Sequence, residues 1–161
     1  MPEARPVQVE VDGRVRTGLA EPRLLLGDFL RHELGLTGVH LACEQGGCGA
    51  CTILLDGRLT LSCLVLAVQA DGATIETAAG MAGDGDLHPI QEAFRSEHGL
   101  QCGFCTPGML LAARSLLEAR PDPGDEEIRR HLSGNVCRCT GYTGIVGAVR
   151  EAARLMREGR P

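Results

Sequence analysis

Eight cysteines in 161 residues constrain this chain more than any other feature, because they fall into two sets, Cys43, Cys48, Cys51, Cys63 and then Cys102, Cys105, Cys137, Cys139. Residues 1–5 do not show the charged-then-apolar pattern expected of a secretory signal, and no stretch approaches the ~20 apolar residues of a membrane span. The expected compartment is therefore the cytoplasm, where clustered thiols serve metal binding or catalysis more than disulfides. A net charge of -5, no lysine and no basic run argue against nucleic acid as the main partner. Only three Phe and one Tyr are present for base stacking.

The hydropathy pattern changes period along the chain. Val7, Val9 and Val11 alternate with polar residues before the hairpin turn Asp12-Gly13, and Val15 continues the return strand. Leu24, Leu25, Leu26, Phe29, Leu30 and Leu34 at helical spacing predict an amphipathic helix stopped by Gly35. A second hairpin is expected over residues 52–62 around Asp56-Gly57, with further strands near 64–68 and 73–77. The small, turn-rich residues 78–86 read as a linker.

Beyond the linker the period is 3.6. Helices are expected over 89–97, from Thr106 (as cap) and Pro107 (as first helical residue) to 118, over 125–132, and from about Thr143, with Ile145, Val149, Ala152, Ala153 and Met156 on one face. The organisation is thus α+β, with one part spanning residues 1–79 and the other 80–161. Each half is near 80 residues, a size at which a core alone is marginal and a staple is needed.

The first set follows Cys-x4-Cys-x2-Cys-x11-Cys, the plant-type spacing that holds a [2Fe-2S] cluster. If Asp56-Gly57 is a two-residue turn, Cys51 lies opposite Ser62 and Cys63 must sit beside Cys51. Three glycines in the loop, Gly46, Gly47 and Gly49, let backbone N–H groups approach an anionic centre. A four-thiolate zinc site is the alternative, but zinc more often takes two separated close pairs. The second set, Cys-Gly-Phe-Cys and Cys-Arg-Cys, places both pairs just before expected helix starts, where partial positive charge favours thiolates. Taken alone, its spacing leaves zinc, a redox Cys-x-x-Cys and iron–sulfur all open. The five histidines form no close-spaced pair for a mixed Cys/His site.

Three stretches, CEQGGCGACT from Cys43, QCGFCTPG from Gln101 and GNVCRCTGY from Gly134, resemble the iron–sulfur subunit of the molybdenum hydroxylases, the family of xanthine dehydrogenase, aldehyde oxidoreductase and aerobic carbon monoxide dehydrogenase. The resemblance spans about residues 7–156. It implies an N-terminal β-grasp ferredoxin-like domain and a C-terminal four-helix-bundle domain, each carrying one [2Fe-2S] cluster. It implies that Cys102, Cys105, Cys137 and Cys139 hold the cluster nearer the molybdenum-pterin cofactor of a large partner subunit. Cys43, Cys48, Cys51 and Cys63 would hold the one facing an FAD-binding medium subunit, in a heterotrimer or its dimer. Single electrons would pass from molybdenum through both clusters to FAD. By the same resemblance Gln101 contacts the molybdenum cofactor and Cys139 lies close to the pterin. Gln45 and Thr143 depart from common family residues, and neither is a ligand position. No catalytic dyad, phosphate loop or nucleotide fingerprint stands outside the cysteine motifs. The alternatives are a free-standing [2Fe-2S] carrier and a zinc-stapled interaction module.

Overall fold

In the computed structural model, which describes residues 3–83 and 85–159, the alternating valines form the expected hairpin. Strands β1 (Arg5–Val11) and β2 (Arg14–Ala20) pair antiparallel, with Val11 opposite Arg14. Asp12 and Gly13 hold φ of 50° and 74°, the two left-handed positions such a turn requires. Val7, Val9 and Val11 point into the core, whereas Val15 is exposed.

The second hairpin, β3 (Thr52–Leu55) and β4 (Arg58–Leu61), has the register expected from its turn, Leu55 opposite Arg58 and Ile53 opposite Thr60. Strand β5 (Thr74–Glu76) lies between the hairpins, parallel to β1 and antiparallel to β3, so the sheet order is β2-β1-β5-β3-β4. A mixed sheet with helical turns packed on it, followed by a helical half, makes the chain α+β.

Two expectations for this half need correction. The helix expected over 24–34 is shorter: α1 (Leu26–Asp28) continues only as widened π turns over Phe29–Glu33. Leu24 and Leu26 are diverted into backbone bonds with Ala67 and Val65, both 2.8 Å, around a bridge between Leu25 and Leu66. That pairing also explains why residues 64–68 form short 3-10 turns instead of a sheet strand. Their partner is an isolated segment outside the ladder. Alternation alone does not tell a sheet strand from such a bridge.

The helical half contains α2 (Pro89–Ser96), α3 (Thr106–Ala119), α4 (Asp125–His131) and α5 (Tyr142–Arg157). His88 caps α2 by accepting from the Ile90 N–H, while Gln91 reaches back to the His88 N–H. Acidic residues 125–127 open α4 and Arg129 and Arg130 close it, in the sense the helix dipole favours. Ile90, Phe94, Met109, Leu111, Ile128, Ile145 and Val149 share one buried core. The α3 cap shifts by one residue from expectation: Cys105 is the cap and Thr106 already helical. Met156, expected on the buried face of α5, is 36% exposed.

Residues 78–81 of the expected linker form a 3-10 turn, and Ala78 and Met81 are buried in the helical core. Asp84, also within the expected linker, lies outside the described residues. Asp12 fastens the start of this segment by accepting from the Thr77 N–H at 2.7 Å and Thr77 hydroxyl at 2.8 Å. Arg114 of α3 reaches Glu76 of β5 at 2.7 Å. Leu54, on β3, is 4% exposed and packs into the core of the helical half. The sheet therefore contributes a side chain to the helices' interior. Replacing Leu54 by Ala is expected to cost about 2–5 kcal/mol and to loosen the helical half together with the sheet; thermal unfolding and hydrogen exchange across α3 check this.

Candidate metal centre

The first cysteine loop is prepared by the turn before it. Arg31 donates to the carbonyl oxygens of Thr37, at 2.9 Å, and Val39, ordering the chain that leads to Cys43. Gly46 and Gly49 then take φ of 79° and 72°, which lets the loop bend back on itself. The hairpin delivers the remaining ligand candidate: Ser62 donates to the Cys51 carbonyl from both N–H (3.2 Å) and hydroxyl (2.9 Å), and Cys63 follows. Cys51 and Cys63 are buried, Cys43 and Cys48 half-buried.

All eight cysteines are free thiols, and within each set they meet two by two. Cys43 lies against Cys48, and Cys51 against Cys63, with Cys43 close enough to Cys63 to be felt electrostatically. In the second set Cys102 lies against Cys139 and Cys105 against Cys137. Among the described residues no three Cys, His, Asp or Glu side chains converge on one single-ion position. Two thiol pairs per set suit a binuclear centre, in which each iron takes two thiolates and shares two sulfides, better than one tetrahedral zinc.

The electrostatics divide each set the same way. The backbone N–H of Gln45, then the Cys48 thiol, lower the Cys43 thiol to about 6, with the Gly47 and Cys48 N–H groups adding to this. Cys102 is lowered too, by the Phe104 N–H and then the Cys139 thiol. At the other end burial, followed by the neighbouring thiol, pushes Cys63 up to about 11 and Cys105 to about 12. Each cradle thus has one end where backbone amides already support a thiolate and one drier end where burial outweighs the backbone N–H groups of Gly46 and Cys105 and a bound cation would complete the support. Thr106, next to Cys105, keeps its hydroxyl oxygen buried without a partner, a donor available to an anionic sulfur. The residues present fit the iron–sulfur groups expected of them.

The two loops touch. Val136 donates its N–H to the Cys48 carbonyl at 2.8 Å, and Asn135 donates from Nδ2 to the Gly49 carbonyl at 2.9 Å. His40 stacks on Phe104, ring centroids 4.9 Å apart, with Nδ1 2.8 Å from the Phe104 carbonyl oxygen. A cavity of about 170 Å³ lined by Ala42, Cys48, Ala50, Cys102, Phe104 and Val136, among others, lies between the sets. Near the second set, the Tyr142 hydroxyl accepts from the Cys137 N–H at 2.8 Å, and exposed Gln101 brings Nε2 beside Gly141. A separate surface cavity of about 590 Å³ is lined by Leu19, Glu21, Arg23 and Asp28 among others and includes no cysteine. In the sequence reading His40 has no role at the site, nor do Asn135 and Thr106, although the last two lie within the cysteine motifs. Each is a single polar residue whose role depends on what folding brings beside it.

Known proteins share both parts of this architecture. Residues 9–79 match the family described as 2Fe-2S iron-sulfur cluster binding domain, and residues 74–150 match the family described as [2Fe-2S] binding domain. The chain is 55% identical over 146 residues to the nicotine 6-hydroxylase small subunit of Paenarthrobacter nicotinovorans, covering 91% of this chain and 88% of that one. A chain of quinoline 2-oxidoreductase from Pseudomonas putida 86 superposes with a TM-score of 0.93 at 46% identity, over 99% of both chains. Aldehyde oxidoreductase from Desulfovibrio gigas superposes with a TM-score of 0.88 at 41% identity, over 98% of this chain and 18% of that longer one.

A thiol becomes reactive as pH rises through its pKa. In the metal-free chain, alkylation of Cys43 is therefore expected to develop near pH 6 and that of Cys63 only near pH 11. Site-resolved mass spectrometry of alkylated samples checks the order; equal reactivity of the two at every pH would show that the loop does not hold them differently.

Proposed function

The chain belongs to the iron–sulfur subunits of the molybdenum hydroxylases, and from that premise we propose that it relays single electrons between a molybdenum-pterin cofactor and FAD held by partner subunits. The observation that carries the reading is the pair of two-by-two thiol sets meeting across one short contact between loops. Cys43, Cys48, Cys51 and Cys63 hold one [2Fe-2S] centre, and Cys102, Cys105, Cys137 and Cys139 the other. When bound, each centre supplies a one-electron donor and acceptor. The chain's own residues hold the thiolates, direct backbone N–H groups at them and keep Cys51, Cys63 and Cys137 away from water.

The division of the chain follows the same reading. Residues 1–79 form the β-grasp ferredoxin-like domain and 80–161 the helical domain, whose α2, α3, α4 and α5 constitute the four-helix bundle. Partners are a large molybdenum-binding subunit and a medium FAD-binding subunit, in a heterotrimer or its dimer. The second cysteine set faces the molybdenum subunit. Cys102 is exposed, and large apolar side chains flank the set in the open: Leu100, Phe104, Val136 and Tyr142 are each 44–48% exposed. Such side chains await a covering surface. Gln101 then contacts the molybdenum cofactor, and Cys139 is the ligand nearest the pterin. No helix among the described residues is long and apolar enough to cross a membrane. The compartment we propose for the assembly is the cytoplasm.

Iron and acid-labile sulfide should each be about four atoms per chain, with two distinguishable EPR signals on reduction. Zinc without labile sulfide would end the reading.

A further inference from the structure

The contact between the two cysteine loops is built from an unusual set of parts. Asn135 is only 8% exposed, one of few buried polar side chains, and a buried amide is costly unless bonded. Its Nδ2 is directed at the other loop, to the Gly49 carbonyl at 2.9 Å, with the Thr52 hydroxyl oxygen at 3.4 Å. The adjacent Val136 N–H binds the Cys48 carbonyl at 2.8 Å. Cys48 belongs to the first set, and Val136 runs directly into Cys137 of the second. Backbone interrupted by one hydrogen bond thus connects a thiol of one set to a thiol of the other.

No side chain separates the loops at this point. A Cβ at Gly49 would lie 2.4 Å from the Gly134 carbonyl oxygen, and one at Gly108, in the first turn of α3, 2.2 Å from the Gly49 carbonyl oxygen. The close approach requires glycine at both positions. The Gly49 carbonyl also accepts from the Thr52 N–H (3.2 Å) and hydroxyl (2.7 Å), so the loop would keep its own turn without Asn135. What Asn135 adds is attachment to the opposite loop.

We propose that Asn135, together with the Val136 N–H, is a positioning residue that fixes the two cluster-binding loops against each other and thereby sets the electronic coupling between the two clusters. This rests on the reading that both sets bind [2Fe-2S] centres. The transfer it serves moves one electron and makes or breaks no bond, so its rate depends on separation and on the bonded path between the ligands. Asn135 touches neither sulfur set; it acts through Gly49 and Val136.

The test is low-temperature EPR of the fully reduced native complex, in which the magnetic interaction of two reduced centres splits their lines. Asn135→Ala and Asn135→Asp, the second keeping the shape without the amide donor, and Gly108→Ala, which forces the loops apart from the helix side, should each retain both signals and full iron content. The splitting should be lost. Unchanged splitting in variants that hold both clusters overturns the inference alone, as does loss of a cluster in all three, which would assign the contact to assembly. A wild-type complex without two iron–sulfur signals overturns the underlying reading and the inference with it.

Discussion

Holding thiolates in close pairs is the constraint on which the rest of this molecule depends. Sulfur anions repel one another, and burial disfavours their charge, as the raised Cys63 and Cys105 thiols record. The chain answers with backbone N–H groups at one end of each set, from Gln45 and Gly47 in the first and Phe104 in the second. At the other end the backbone N–H groups of Gly46 and Cys105 are outweighed by burial, and a cation would complete the support. A loop able to turn several amides inward must have left-handed positions, and Gly46 and Gly49 supply them. The hairpin of β3 and β4 exists, in functional terms, to bring Cys63 back beside Cys51.

Much of this is legible in the sequence because it follows from short-range rules. The turn at Asp56-Gly57 sets the hairpin register, and the observed bond from Ser62 to the Cys51 carbonyl is where that register places it. Helices α2 to α5 follow from apolar periodicity and from stops such as Pro121. The failures share a cause: the deciding partner is distant in the chain. Leu24, Leu25 and Leu26 carry a helical pattern but pair with residues 65–67. Leu54 reads as an ordinary strand residue, yet its side chain completes the helical core. Met156 keeps the helical period but is 36% exposed, lining a surface cavity with Leu117 and Pro121.

The two halves are consequently one mechanical unit. Leu54, the Arg114 to Glu76 ion pair and the contact between the cysteine loops all cross between them. Related chains contain the same unit both at nearly this chain's full length, as in the quinoline 2-oxidoreductase structure, and as 18% of a longer polypeptide, as in the aldehyde oxidoreductase. A unit that superposes so closely in both settings carries its internal geometry within its own residues. An electron relay needs this property, since the spacing of its centres must not depend on how its neighbours are joined.

Whether the sulfurs serve binuclear iron is read most directly by iron X-ray absorption on the purified complex. The account predicts iron surrounded by sulfur alone, with a second iron at short range in every site, because each thiol pair supplies half the ligands of a shared centre. Iron without an iron neighbour, or zinc in its place, would contradict it.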